Sequence, residues 1–226
     1  ANICLDDVFE GFIKAHPDNG TKSALAFLAC SELKDPAIEA GCHPIAHAIG
    51  RGTFAQAGTV DKSFNDCDQT CHSGCYHGAM ERFLRGDADD SAHISPTEIK
   101  AKAVSACDPS QPFQYRFQCL HGLGHALMYY LRTPAPEKYD LRQSLDICDA
   151  LGDTWSADSC WGGAFMENVS PAEPGLGDVN TDPHYPCNAL DAKYRNSCYQ
   201  MQTSRMFQLG IARNKILEEC RKAGDY

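Results

Sequence analysis

"CDPSQPFQYRFQCLHGLGHAL", residues 107–127, sets two cysteines twelve apart and follows the second with a run of glycines and histidines. The arrangement recurs. Cys30-Ser, Cys67-Asp, Cys107-Asp, Cys148-Asp and Cys187-Asn follow one another at intervals of 37, 40, 41 and 39 residues. Each has a downstream partner, Cys42, Cys75, Cys119, Cys160 and Cys198, at separations of 12, 8, 12, 12 and 11. A period of about 40 is the signature of stacked supersecondary units. The chain therefore reads as one domain, 1–226, with units near 22–60, 61–90, 95–132, 140–170 and 185–215.

Each unit reads as two helices. The first cysteine ends helix A, and the polar residue after it starts a turn. The second opens helix B, and a disulfide closes the corner, stabilising by about 3 kcal/mol for a loop of a dozen residues. The expected pairs are Cys30–Cys42, Cys67–Cys75, Cys107–Cys119, Cys148–Cys160 and Cys187–Cys198. Cys4 and Cys220 are left near opposite termini, placed to join them. Cys71 is odd, with Cys4 or Cys220 as alternative partners.

Local signals agree with helices. Ser95-Pro96-Thr97-Glu98 is a capping box with proline at the first helical position. Asp35-Pro36 and His43-Pro44 are similar starts. "VFEGFI", "LAFLA" and "ILEEC" space apolar residues as a helix does, and no stretch alternates over a strand length. Breaks fall at 85–90, 133–138 and the Pro/Gly-rich 171–186. The fold class expected is all-α: disulfide-stapled helical hairpins in an array or a compact bundle.

Composition narrows the function. The net charge of -10 argues against nonspecific binding to nucleic acid or an anionic membrane. No apolar run approaches the ~20 residues of a membrane span. Thirteen cysteines in 226 residues indicate an oxidising compartment, extracellular or periplasmic. Without an initiator Met or a signal peptide, Ala1 reads as a processed start. Asn19-Gly20-Thr21 and Asn168-Val169-Ser170 are glycosylation sequons.

The histidines carry the chemistry. His43/His47, His77/Glu81 and His121/His125 are spaced i,i+4, which puts each pair on one helix face. That spacing lets two side chains grip one metal ion. Counted from the second cysteine, His77 and His121 share one position and Glu81 and His125 another, with His43 and His47 one step earlier. Side-by-side B helices would align these six residues in one band. Gly78, Gly122, Gly124, Gly162 and Gly163 would allow close approach, at about 1 kcal/mol each against alanine. Glu167, on the fourth B helix, is placed as a further ligand or a hydrogen-bond acceptor behind one. His43, just before Pro44, is expected to be extended at a helix start.

The order His47, His77-x3-Glu81, His121-x3-His125 resembles part of the ligand order of hemerythrins, with different intervals and without that family's last histidine and aspartate. The resemblance implies two irons in a helical bundle bridged by Glu81. On residue types alone, imidazole-rich ligation suits iron or copper, with zinc as a further candidate. "CDQTCH" (67–72) resembles a spaced variant of the haem c attachment motif, with His72 as axial ligand. Cys67, Cys71 and Cys75 would suit a soft metal or an iron–sulfur cluster if reduced.

The expected function is a secreted or periplasmic metalloprotein with a mono- or dinuclear centre on His43, His47, His77, Glu81, His121 and His125. Metal-dependent oxidoreductase chemistry comes first and hydrolysis second, on a small-molecule substrate or with a redox partner. The alternative is a stapled helical interaction module whose histidines serve helix ends.

Overall fold

Asp35 caps the longest helix in the chain's first half. Its Oδ1 accepts the backbone N–H of Ala37 at 2.9 Å, and Pro36 takes the first turn. In the computed structural model, which describes residues 2–32, 34–86, 95–131, 141–170 and 180–225, all regular structure is helical. The helices are α1 (Asn2–Ala15), α2 (Gly20–Glu32), α3 (Pro36–Ala57), α4 (Val60–Asp66), α5 (Thr70–Arg85), α6 (Pro96–Ala106), α7 (Phe113–Tyr130), α8 (Leu141–Cys148), α9 (Thr154–Val169), α10 (Ala192–Gln208) and α11 (Arg213–Lys222). The expected capping box opens α6: the Ser95 hydroxyl accepts from Glu98 N, and the Glu98 carboxylate accepts from Ser95 N. Thr59 and Asp153 cap α4 and α9 through their side chains.

The long helices pack in series, α3 on α5, α5 on α7, α7 on α9 and α9 on α10. The shorter helices lie alongside, with α1 and α2 against α3, α4 between α3 and α5, and α8 against α9. Leu25, Ile49, Met80, Leu84, Leu123, Leu127, Leu145 and Phe165 form the fully buried core between them.

Glycine sets the closeness of two of these contacts. A Cβ on Gly78 would stand 1.9 Å from the His47 carbonyl oxygen, and one on Gly163 would stand 1.9 Å from that of His121. Gly50 and Gly124 make the reciprocal approaches, to the carbonyls of Cys75 and Cys160. Gly162 is looser, with His121 Nδ1 at 3.5 Å.

Five disulfides cross the described residues: Cys42–Cys71, Cys67–Cys75, Cys107–Cys119, Cys148–Cys160 and Cys187–Cys198. Four are the expected pairs. Cys30–Cys42 is corrected, because Cys42 bonds the cysteine counted as odd. The side chain of Cys30 lies outside those described. Cys4 and Cys220 are free and exposed rather than joined. With Cys67 and Cys71 both in disulfides, neither a haem thioether nor a thiolate cluster is available at 67–75.

The reason for the change at Cys42 is the start of α3. The helix begins at Pro36 and runs through Pro44, so His43 is helical and not extended. Cys42 is thereby carried to the face that meets α5. There the backbone of Cys71, His72 and Ser73 is left-handed, with φ of 52°, 57° and 66°. Such residues cost about 1–2 kcal/mol each without glycine's freedom. The disulfides Cys42–Cys71 and Cys67–Cys75 bracket the turn. The other second cysteines, Cys119, Cys160 and Cys198, also lie inside their helices rather than at the start.

Gly86 ends α5, as expected of 85–90. Residues 87–94, 133–138 and 171–179 lie outside the described residues. Asn168 is buried in α9, which closes that sequon to a glycan. The disulfides point to an oxidising compartment. Among the described residues no helix is long and apolar enough to cross a membrane.

Candidate metal centre

α3 contributes His43 and His47, one turn apart. α5 contributes His77, seated because Gly78 lets α5 press onto the His47 backbone. α7 contributes His125. One ring nitrogen from each of these four lies within 4.8 Å of the others. His47, His77 and His125 are buried, and His43 is half-buried.

The hydrogen bonds fix which nitrogens are free. His43 Nδ1 lies 2.8 Å from the carbonyl oxygen of Cys71. A carbonyl only accepts, so this nitrogen carries the proton. His47 Nδ1 lies 2.7 Å from Glu81 Oε1. Burial alone would raise the Glu81 pKa, but His47 and Arg51 outweigh it and hold the carboxyl at about 2. Glu81 is therefore ionised, and His47 Nδ1 also carries its proton. The two remaining Nε2 atoms face each other at 3.0 Å. With both Nδ1 atoms carrying protons, this Nε2 pair could hold a cation.

Of the other two rings, His125 repeats the pattern. His125 Nδ1 pairs with Glu167 Oε2 at 2.9 Å, and both side chains are fully buried. Its Nε2 is buried without a hydrogen-bond partner, and so is His77 Nδ1. Burial is the main force pulling the pKa of His77 and His125 well down, and the neighbouring imidazoles add to it. His43 is pulled to about 3 by burial first and by His47 second. Rings kept neutral keep the lone pairs that metal binding needs.

Ring spacing admits one ion, although His77 and His125 are stacked within 17° of parallel, so one of these two rings must turn before both could ligate it. An ion about 2.0–2.1 Å from each nitrogen lies about 3.2 Å from each ring centre, so four imidazoles in a tetrahedron have centres about 5.2 Å apart. The six pairs among these rings lie between 4.3 and 5.9 Å. Coordinating nitrogens would stand about 3.4 Å apart, so closure from the present spread takes movements of about 1 Å.

The other two of the six expected ligands stand apart from this group. Glu81 lies behind His47, with Oε1 accepting from His47 and Oε2 from Arg51. Both oxygens are engaged, and a carboxylate bridge between two ions has no free oxygen there. His121 has its ring 5.2–5.3 Å from those of His125 and His77. It stacks on Phe117 and bonds the Ser159 backbone. Burial chiefly lowers its pKa to about 4. Glu167 takes the acceptor place behind His125.

Arg51 is the residue that sequence reasoning missed. It is buried between Glu81 and Asp6 of α1, donating to the Asp6 carboxylate at 2.7 and 2.9 Å. Its signal was present, since Arg51 follows His47 by four residues on the same face of α3. Arg51 thus ties Glu81 of α5 to Asp6 of α1 behind the histidines.

Comparison with protein-family models, curated proteins and solved structures finds no match to this chain.

Proposed function

We propose that this protein binds one transition-metal ion through His43, His47, His77 and His125. The observation that carries the reading is the commitment of three Nδ1 atoms to Cys71 O, Glu81 and Glu167, which turns the remaining nitrogens toward a common point. Metal-binding histidines almost always make such a second hydrogen bond, which fixes the tautomer and raises the basicity of the donor. The fold reading that goes with it is a series of stapled two-helix units, secreted or periplasmic, whose long helices share one centre.

The donor set favours zinc or copper. Four nitrogens and no free carboxylate oxygen suit a four-coordinate ion. Iron fits less well, because non-haem iron sites take a carboxylate ligand and keep positions open. A filled shell also disfavours hydrolysis, which needs a metal-bound water. Copper would keep one-electron chemistry within reach, since electron transfer needs no open position. Zinc would make the ion a structural tie between α3, α5 and α7.

The test is metal content after isolation without chelator. One equivalent of zinc or copper per chain is expected, falling below about a tenth in His77→Ala and His125→Ala. His121→Ala, outside the four, should retain the ion. Folded wild-type protein with no metal and no uptake would leave the histidines as structural groups of an interaction module.

A further inference from the structure

The four-histidine centre meets solvent at one corner. His47, His77 and His125 are at most 2% exposed, whereas His43 is half-buried. Beside His43 stands His72, exposed, with ring centres 6.3 Å apart. Two imidazoles sharing one ion have centres from about 5.2 Å at a tetrahedral angle to about 6.4 Å when opposed. The spacing falls within that range, so a turn of the two rings would let His72 and His43 Nε2 hold one ion before it moves inward.

The backbone holds this pair in place. Cys42–Cys71 joins the residues immediately before His43 and His72. His43 Nδ1 bonds the carbonyl of Cys71, one residue from His72. His72 lies at the centre of three consecutive left-handed residues, a conformation that persists where surrounding structure enforces it and that concentrates at functional sites. The cysteine left over from the repeat thus couples the outer histidine to the first inner one.

We propose that His72 is the loading ligand of the centre: it captures an incoming transition-metal ion at the surface and passes it to His43. The inference rests on the four-histidine reading and adds a route to it. A ligand used only in transit lowers the barrier in both directions, so it speeds uptake and release equally and leaves affinity alone.

The experiment compares wild type with His72→Asn, since asparagine tolerates a left-handed backbone. His16→Asn, at an exposed histidine on another face, serves as control. Co²⁺ uptake is followed by the visible absorption of four-coordinate cobalt, and release by transfer to excess chelator. Uptake and release should both slow at least fivefold in His72→Asn, with stoichiometry and Kd within about threefold of wild type, and His16→Asn should match wild type. Unchanged uptake overturns the proposal. So does release that fails to slow, which would make His72 a permanent ligand or a bystander. Wild type that binds no Co²⁺ at all would instead remove the four-histidine centre itself.

Discussion

Glu81 shows how one side chain sets the chemistry of another. It accepts the hydrogen bond from His47 Nδ1–H and leaves Nε2 with its lone pair. Glu81→Gln keeps the shape but replaces a charged acceptor with a neutral amide. Loss of such a partner behind a ligand typically weakens metal binding 10–100-fold, and competition against a chelator of known affinity should find the variant in that range. Acid acts on the same residues. His43 titrates near 3 in the folded protein against 6.5 as its ordinary value, and His121 near 4. A depressed histidine gives stability that is complete above pH 6.5 and is lost as pH falls toward the folded value. Glu81, at about 2 against 4.5, extends the loss below pH 4.5 with the same sign. Denaturation midpoints of the metal-free protein should hold steady above pH 7 and fall between 6.5 and 4. A midpoint that stays flat down to 4.5 would contradict neutral buried histidines.

At the level of helices, glycine decides how closely the donors are brought together. Gly78→Ala places a methyl 1.9 Å from the His47 carbonyl oxygen, so α3 and α5 must part. The loss should reach at least the upper part of the ~1–3 kcal/mol seen for overpacking, read as a fall in denaturation midpoint. Gly162→Ala meets only His121 Nδ1 at 3.5 Å and should be neutral or gain up to about 1 kcal/mol of helix propensity. Recurring glycines after the second cysteines were legible in the sequence as a close-approach signal. So were four of the five disulfides, because each closes a corner between neighbours in sequence. Cys42–Cys71 was not legible: it depends on a left-handed turn without glycine and on a helix continuing through Pro44, and local propensity argues against both. For the same reason His43 read as a helix start, although its i,i+4 relation to His47 was visible.

Across the whole molecule, residues from three helices and one disulfide-bracketed turn converge on a point that no local stretch defines. The spacing of the histidines was enough to pick out all four converging rings. It also picked out Glu81 and His121, because periodicity gives a face of a helix and not the depth of a side chain on it. Depth is set by packing: α7 leans on α9 through Gly124 and Gly163, which buries His125 at the centre and leaves His121 against Phe117 and Ser159. One ion among these helices, held by four imidazoles with Glu81 and Glu167 accepting hydrogen bonds behind two of them, is the central claim. X-ray absorption at the edge of the bound metal tests it most directly. The expected spectrum has four nitrogens at about 2.0–2.1 Å with the outer-shell pattern of imidazole rings. Sulfur at about 2.3 Å, or a shell dominated by oxygen, would contradict it.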